Sequence, residues 1–268
     1  MKLTVLVDNN TYIDRYYLGE PALSFYIEDG DSRILFDTGY LDIFIRNAMA
    51  MNINLSEITH IVLSHGHNDH TGGLRFFREN FINHPIEIIA HPHIFKERFE
   101  NDLSIGIPVT SELLAQTCKL TLSQKPVQIT PHITFLGEIP TYYEFEQRKA
   151  IGYFTENSYQ HPDYVSDDSA LVYNTGKGLF IITGCSHSGI CNIIEHAKNI
   201  CNEDKIVGVI GGFHLLDICE QLYETIVFFK KNNIGALYPC HCVSFAAKAE
   251  IHKRIPIKEV GVNMTLII

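Results

Sequence analysis

The sequence has few basic residues and contains no basic run. It has 21 lysine and arginine residues against 31 aspartate and glutamate residues, which gives a formal net charge of -10. Binding to nucleic acid without sequence preference requires basic side chains that neutralise phosphates. The composition therefore argues against that function class, and we expect no nucleic-acid partner.

The sequence also has no apolar stretch of the length that a transmembrane helix requires, and its seven cysteines follow no regular spacing. The chain starts directly with a strand pattern, without the features of a signal peptide. We therefore expect a cytoplasmic protein with reduced thiols and no membrane partner. Hydrophobic residues make up 46% of the 268 residues, enough for a sizeable core, and we predict a single domain over residues 1–268.

The densest group of metal-binding residue types lies in the first half of the chain. It comprises three imidazoles and one carboxylate: His65, His67, Asp69 and His70. The group follows an apolar strand pattern at residues 60–63 and precedes a helix pattern at residues 72–81. A loop at the carboxyl end of a strand is a common place for chemistry in α/β proteins, and these ligand types suit zinc, iron or manganese. The pattern predicts a metal site in this loop.

Three histidines of the second half also follow strand patterns. They are His187, His214 and His241, after residues 179–183, 205–210 and 234–238. Their equivalent positions after strands favour a shared role over three unrelated structural ones. Together with the first group they supply enough ligands for two divalent metal ions, which can hold a hydroxide and polarise the bond that it attacks.

The spacing His65-x-His67-x-Asp69-His70 resembles the signature of the metallo-β-lactamase superfamily. Four later phrases are similar to one branch of it, the proteins like dihydropterin–ribofuranosylaminobenzene phosphate synthase of methanopterin biosynthesis. These phrases are Asp-Asp-Ser-Ala-Leu at 167–171, Gly-Cys-Ser-His-Ser-Gly at 184–189, Gly-Gly-Phe-His-Leu at 211–215 and Pro-Cys-His-Cys at 239–242. The resemblance implies a four-layer αββα sandwich of the α/β (α+β) class, whereas periodicity alone predicts only α/β or α+β.

The resemblance also implies how the metals are held. The expected ligands are His65, His67 and His187 for the first metal, and Asp69, His70 and His241 for the second. We expect zinc in both positions, with iron or manganese as alternatives. Asp37 ends a strand pattern at the point where the superfamily typically has an aspartate that supports the metal loop, and we expect that role for it.

The chain departs from the superfamily at Cys185. Many members carry Thr-Gly-Asp where this sequence has Thr183-Gly184-Cys185, and that aspartate bridges both metals. Three arrangements remain open here: a water bridges, the Cys185 thiolate bridges, or only one metal binds tightly. Cys240 and Cys242 flank His241, and because side chains alternate along an extended chain we favour His241 as the ligand.

Residues 138–168 show no clear helix or strand pattern and are rich in aromatic and charged residues. A long irregular segment in a compact domain is usually a functional loop. We interpret the segment as a lid that borders the metal site and presents Tyr or Phe side chains, with Arg148 or Lys149, to an anionic substrate. The alternative is that these rings pack against a second subunit in a homo-oligomer.

These features favour a metal-dependent hydrolase that acts on a small anionic molecule, with a phosphate ester as the preferred substrate and a metal-bound hydroxide as the nucleophile. Asp69 is expected to orient the metal-bound water or to take its proton while also contacting the metal, and His214 is expected to hold a substrate oxygen or donate a proton. One alternative is a pterin-type synthase, a transferase that joins two substrates. The other is a metal-binding regulator without turnover.

Overall fold

A computed structural model of the protein describes residues 1–81 and 85–268. The polypeptide divides into two compact units. Unit 1 comprises Met1–Gln124, Ala150–Asp163 and Gly261–Ile268, and unit 2 comprises Lys125–Lys149 and Tyr164–Val260. The prediction that residues 1–268 form one domain stays a prediction, and each unit is treated by itself below.

The described residues form strands and helices of mixed α/β character. The strands are β1 (Lys2–Val7), β2 (Ser24–Asp29), β3 (Ser32–Phe36), β4 (His60–Val62), β5 (Ile86–Ala90), β6 (Glu97–Glu100), β7 (Leu103–Ser104), β8 (Cys118–Leu122), β9 (Val127–Gln128), β10 (Ile133–Phe135), β11 (Tyr153–Glu156), β12 (Tyr159–Pro162), β13 (Ala170–Asn174), β14 (Leu179–Thr183), β15 (Ile206–Gly211), β16 (Leu237–Pro239) and β17 (Thr265–Ile267). The helices are α1 (Ile43–Ala50), α2 (Asn68–Thr71), α3 (Leu74–Phe81), α4 (Ser111–Leu114), α5 (Ile190–Cys201), α6 (Glu220–Lys231) and α7 (Phe245–His252).

The larger sheet of unit 1 has the strand order β17-β1-β2-β3-β4-β5-β8. Its first strands pair antiparallel, and β3, β4, β5 and β8 pair parallel. Side chains such as Leu35, Ile61 and Ile88 are buried with Phe44 of α1 and Phe77 of α3. Each such aliphatic side chain contributes about 1.5–3 kcal/mol by burial. This core fixes β4, and the loop that follows β4 carries the histidine motif.

A second sheet in unit 1 has the order β12-β11-β6-β7, and it corrects the expectation that residues 138–168 are irregular. Strands β11 and β12 form a hairpin, and β11 pairs with β6. The turn residues Asn157 and Ser158 both have positive φ, at 51° and 68°. A two-residue turn of this kind matches the twist of paired strands. Its usual sequence is Asn-Gly, so Asn-Ser gave a weak signal in the sequence.

The sheet of unit 2 has the order β16-β15-β14-β13-β10-β9, and β14, β15 and β16 are parallel neighbours. Ile181, Val209 and Leu237 from these strands are buried in one cluster with Phe213 and Phe229. Because the three strands run in the same direction, the loops after them leave the same edge of the sheet. Those loops carry the three histidines of the second half.

The first part of the proposed lid is bound to helix α5 within unit 2. The side-chain oxygen of Asn192 accepts hydrogen bonds from the backbone N–H groups of Tyr142 and Tyr143, at 2.7 and 2.9 Å. Arg148 Nη2 donates to the Ile139 carbonyl at 3.0 Å and to Ser188 Oγ at 2.9 Å. The Arg148 guanidinium thus joins two parts of unit 2, and its predicted contact with a substrate stays a prediction. Lys149 is exposed, and its role stays a prediction.

Most of the predicted strands and helices lie where the sequence patterns place them. Strand β1 and helix α5 each match within a residue or two, and the predicted helix over 72–81 begins at Leu74. The motif loop contains the short helix α2, which the sequence did not predict. Among the described residues, no helix combines the length and the apolar character needed to cross a bilayer.

Two buried charges link the smaller sheet of unit 1 to the region beside the histidine motif. Arg98 on β6 is 1% exposed and donates from Nε to Asp163 Oδ2 at 2.7 Å, while its other nitrogens donate to the carbonyls of His93 and Ile94. Removing one partner of a buried ion pair leaves the other charge without compensation, which costs about 3–5 kcal/mol. We expect Arg98→Met to lower the free energy of unfolding by this amount in urea titrations.

The matched control for Arg98→Met is Lys119→Met. Lys119 pairs with Glu87 at 3.0 Å in the same unit, but its side chain is 70% exposed. Exposed pairs contribute about 0–1 kcal/mol, so this variant should unfold close to the wild type. Equal effects of the two substitutions would contradict the role given to the Arg98–Asp163 pair.

Glu146 makes the stability of unit 2 depend on pH. Burial raises the pKa of its carboxyl from 4.5 to about 7, although hydrogen bonds from the N–H groups of Cys191 and Asn192 act in the opposite direction. The protonated form is therefore favoured by folding. The free energy by which the protonated Glu146 carboxyl stabilises the fold is fully present below pH 4.5 and is lost as the pH rises through about 7.

We expect Glu146→Gln to remove this dependence. Relative to the wild type, the variant should gain stability as the pH rises from 4.5 to 7, by a difference on the order of 3 kcal/mol. Chemical unfolding at a series of pH values measures it. Glu144→Gln is the control, because Glu144 is exposed. A constant difference between Glu146→Gln and wild type across this range would contradict the assignment.

Candidate metal centre

Asp37 organises the histidine loop of unit 1 from beneath. Its carboxylate is fully buried and accepts three hydrogen bonds: Oδ1 from Ser64 N, and Oδ2 from Ser64 Oγ and from His70 Nδ1, each at 2.7 Å. The backbone N–H of Asp37 donates to the Val62 carbonyl at 2.9 Å, which ties it to strand β4. The expected support of the metal loop by Asp37 agrees with these contacts.

These hydrogen bonds fix which nitrogen of each imidazole carries the proton. Because Ser64 Oγ donates to Asp37, it accepts from His65 Nδ1 at 2.9 Å. His70 likewise donates from Nδ1 to Asp37. In both rings the proton is on Nδ1, so the Nε2 lone pair is directed away from Asp37. Carboxylate and hydroxyl partners of this kind orient metal-binding histidines and raise their basicity.

Three donors of unit 1 converge above this support. One ligand atom each of His65, His67 and Asp69 lies within 4.8 Å of the others. His65 Nε2 and His67 Nδ1 are 3.1 Å apart, and His70 Nε2 is 3.6 Å from Asp69 Oδ2. His65 and His67 are buried, whereas the Asp69 side chain is 30% exposed. Two imidazoles and a carboxylate with one exposed side fit a divalent metal that keeps an open position.

Gly66 lets the histidine loop lie directly against Arg98. A Cβ atom at position 66 would overlap the Arg98 guanidinium and the Ile94 carbonyl oxygen. The glycine between the two histidines is therefore required by close packing, and Arg98 lies under the loop that presents them. The sequence gave no signal for this contact, because Arg98 is 32 residues away on another sheet.

In unit 2, hydrogen bonds join the three loops that follow β14, β15 and β16. Gly212 N donates to the Gly184 carbonyl at 2.8 Å, and Cys240 N donates to the Gly211 carbonyl at 2.9 Å. Ser186 Oγ donates to the Gly212 carbonyl at 2.6 Å. The loops are thereby held side by side, and each places its metal-binding residue types at the same edge of the sheet.

This arrangement brings two cysteines and one histidine together. One ligand atom each of Cys185, His214 and Cys242 lies within 4.8 Å of the others, and the ring centroids of His187 and His214 are 4.4 Å apart. Burial by itself raises the pKa of the Cys242 thiol. Hydrogen bonds with Cys185 and His214, and the charges of His241 and His214, outweigh that effect and hold this pKa well below its ordinary value.

Several of these positions have a strained backbone. Asp37, Ser186, His214 and His241 all have φ between 46° and 62°. This left-handed region costs of order 1–3 kcal/mol for residues other than glycine, and such strain is concentrated at functional sites. The surrounding hydrogen bonds hold these residues in the left-handed conformation. The backbone therefore sets the direction in which each side chain leaves the chain.

The structure groups the predicted residues differently from the expectation in one respect. His65, His67 and Asp69 come together in unit 1, whereas the expectation assigned Asp69 to the second metal and His65 and His67 to the first. Cys242, which the alternation argument set aside in favour of His241, lies in a donor group of unit 2. His241 has φ 50°, so the chain is not extended there, and the preference for His241 as the ligand stays a prediction. The assignment of His187 to the first metal and of His70 and His241 to the second stays a prediction.

A sequence model of the metallo-beta-lactamase superfamily matches residues 18–194, about two thirds of the chain. The chain belongs to the metallo-β-lactamase superfamily. The predicted superfamily and its α/β fold class are therefore confirmed.

Relatives within the metallo-β-lactamase superfamily match nearly the whole chain. It is 36% identical over 263 residues to 7,8-dihydropterin-6-methyl-4-(beta-D-ribofuranosyl)-aminobenzene-5'-phosphate synthase of Methanocaldococcus jannaschii, covering 92% of this chain and 89% of the relative. It is 33% identical over 250 residues to an uncharacterized protein of the same organism, covering 93% of each. These matches confirm the predicted branch.

A solved structure agrees with this placement. The crystal structure of Tm1679, a metal-dependent hydrolase of the beta-lactamase superfamily, has a TM-score of 0.85 and 25% sequence identity to this chain, covering 100% of this chain and 99% of that one. The chain therefore has the metallo-β-lactamase fold over its whole length.

A substitution of Asp37 tests whether its carboxylate supports metal binding by the histidine loop. We expect Asp37→Asn to lower affinity for a divalent metal about 10–100-fold, because an amide neither orients His70 through a negative charge nor accepts as many hydrogen bonds. Calorimetric titration of zinc into metal-free protein measures the change, with circular dichroism as the check on folding. Asp31→Asn, at an exposed carboxylate of the same unit, should leave the affinity unchanged. Unaltered zinc affinity in folded Asp37→Asn would remove Asp37 from the site.

Proposed function

We propose that the protein is a metal-dependent hydrolase of small anionic molecules, with phosphate esters as the substrate class. The observation that carries this proposal is the donor group of His65, His67 and Asp69, in which two buried imidazoles stand beside a partly exposed carboxylate. Membership of the superfamily supports it, as does the likeness to a protein described as a metal-dependent hydrolase. A cytoplasmic location and a homo-oligomeric state remain expectations.

His65, His67 and Asp69 would hold a divalent metal, with zinc as the first candidate, and a second divalent metal remains part of the proposal. Such a metal, when bound, lowers the pKa of water and polarises a phosphoryl oxygen. The residues themselves supply orientation and proton transfer. Asp37 and Ser64 keep the His65 and His70 nitrogens that face away from them unprotonated.

Asp69 has the role of proton acceptor in this proposal. Its carboxylate is partly exposed, so it can reach a reactant, and it lies 3.6 Å from the unprotonated Nε2 of His70. His214 is proposed to donate a proton or to hold a substrate oxygen. Its place beside Cys185 and Cys242 gives it a metal-binding alternative.

A second candidate function is a synthase that joins a pterin-type and an aminobenzoate-type substrate. The observation that favours it is the 36% identity to a synthase whose product contains a dihydropterin and a ribofuranosyl aminobenzene phosphate. Both candidates require a phosphate-bearing substrate and the same donors. They differ in whether water or a second substrate attacks.

Parallel assays of metal-loaded protein separate the two candidates. One uses a generic phosphodiester and measures release of the alcohol, and the other uses pterin and aminobenzoate-type substrates and measures the coupled product. Hydrolysis that depends on added metal supports the first candidate. Coupling without hydrolysis supports the synthase. Metal binding without turnover in either assay would contradict both and leave a regulator.

Asp69→Asn tests the proposed proton acceptor. We expect a loss of kcat of about 10²–10⁴-fold, because the amide cannot accept a proton, with little change in the midpoint of thermal unfolding. The metal content of the purified variant must be measured in parallel, so that loss of metal is separated from loss of proton transfer. Asp31→Asn is the exposed control in the same unit. Full activity in metal-replete Asp69→Asn would exclude this role.

A further inference from the structure

The smaller sheet of unit 1 carries a lysine whose charge has no acidic partner in the described part of the chain. Lys96 directly precedes strand β6, and its Nζ lies 3.7 Å from the centroid of the Phe154 ring. Within residues 1–81 and 85–268, no carboxylate forms an ion pair with this ammonium group. The chain as a whole has a net charge of -10, so acidic partners are not scarce. The ammonium therefore keeps its capacity to bind an anion from solution.

The Phe154 ring fixes the position of this charge. Phe154 is on β11, and its ring also stacks on the imidazole of His161 on β12, with 5.2 Å between the centroids and 24° between the planes. A cation over an aromatic ring is attracted by the negative charge of the ring face. Because the Lys96 side chain is held there, it loses less conformational freedom when an anion binds to it.

The cluster of Lys96, Phe154 and His161 lies on the face of the sheet that contacts the histidine loop. Phe154 is the cross-strand partner of Arg98 on β6 and of His161 on β12, so these three side chains leave the same face. The Arg98 guanidinium on this face packs against Gly66 of the histidine loop. The cluster is therefore on the side of the sheet that is turned toward the metal-binding histidines of unit 1.

Backbone contacts connect Lys96 to the same loop. Gly106, which follows β7, forms an antiparallel bridge with His67. A Cβ atom at position 106 would lie 3.3 Å from the Lys96 carbonyl oxygen, so Gly106 contacts both the chain at Lys96 and the histidine loop. Asn68 N also donates to the Ile105 carbonyl at 2.8 Å. The lysine and the histidine loop thus belong to one hydrogen-bonded framework within unit 1.

The accessible cation on this face is Lys96 and not Arg98. Arg98 is 1% exposed, and Asp163 neutralises its guanidinium at 2.7 Å. Lys96 is half-buried and His161 is exposed, so a ligand can reach both side chains. A neutral imidazole offers one N–H donor, and an ammonium offers three. Two donor side chains therefore lie on either side of one aromatic ring in the strand order of the sheet.

We propose that Lys96, Phe154 and His161 form a subsite that binds the phosphate group of a small-molecule ligand. The Lys96 ammonium and the His161 N–H donate to phosphate oxygens, and Phe154 holds both side chains in place. The subsite rests on the proposed function, because both candidate functions use a phosphate-bearing substrate. It deepens that function by naming residues outside the metal donors that recognise the phosphate.

Binding of phenylphosphonate to the metal-loaded, full-length protein tests the subsite. Its carbon–phosphorus bond is not a substrate for ester hydrolysis, so calorimetric titration gives a dissociation constant whether or not the protein is a hydrolase. We expect Lys96→Met to weaken binding roughly 10-fold, because a charge-assisted hydrogen bond is lost. Lys96→Arg keeps the positive charge and should restore most of the affinity.

Two further variants separate the subsite from general effects of charge and folding. Lys119→Met removes an exposed lysine of unit 1 that pairs with Glu87, and it should leave the affinity unchanged. Phe154→Leu should weaken binding roughly 2–5-fold, because Lys96 loses the ring that holds it. Circular dichroism of each variant checks that the fold is retained.

Equal affinity of folded Lys96→Met and the wild type would overturn the subsite, as would a wild type that does not bind phenylphosphonate. A loss of equal size in Lys119→Met would attribute the effect to net charge and would also reject it. Binding that depends on Lys96 in a protein without phosphodiester hydrolysis supports the subsite and contradicts the hydrolase. Hydrolysis with an unchanged KM in Lys96→Met supports the hydrolase and rejects the subsite.

Discussion

The buried carboxylate of Asp37 is the interaction on which the metal loop of unit 1 depends. A carboxylate without exposure to water is costly unless it is fully hydrogen bonded. Asp37 meets this condition through Ser64 and His70, so the groups that stabilise the charge are the groups that present the metal ligands. The same hydrogen bonds therefore stabilise the folded loop and orient its histidines for metal binding. Strand β4 and its neighbours provide the fixed end of the loop.

In unit 2, hydrogen bonds, mainly between backbone groups, hold the loops that carry the metal-binding residue types. Its donors are on three separate loops, and in one of them Ser188 N donates to the buried carboxylate of Asp168 at 2.8 Å. The parallel strands β14, β15 and β16 bring the loops to one edge, and hydrogen bonds from Gly212, Cys240 and Ser186 set the spacing between them. The left-handed conformations of His214 and His241 are maintained by that framework. The donors are consequently ordered before any ligand arrives.

The metal-binding motif, the sequence of strands and helices along the chain and the family could be predicted, because these depend on local patterns. Period-2 and period-3.6 hydrophobicity placed β1, β4 and α5, and the spacing of His65, His67 and Asp69 identified the superfamily. Contacts between residues that are distant in the chain were not predictable in this way. The packing of Arg98 against Gly66 and the place of Cys242 both depend on backbone geometry that propensities do not encode.

Unit 1 is assembled from three separate stretches of the chain, and this has a consequence for its folding. Strand β1 pairs with β2 on one side and with β17 on the other, so Leu3 and Leu266 become partners across most of the sequence. Pairing at such separation is slow, because the loop entropy is lost before the contacts form. Until residues 265–267 emerge from the ribosome, one edge of β1 remains open to other chains. A nascent chain is therefore open to aggregation at that edge, and chaperone binding there would shield it until β17 emerges.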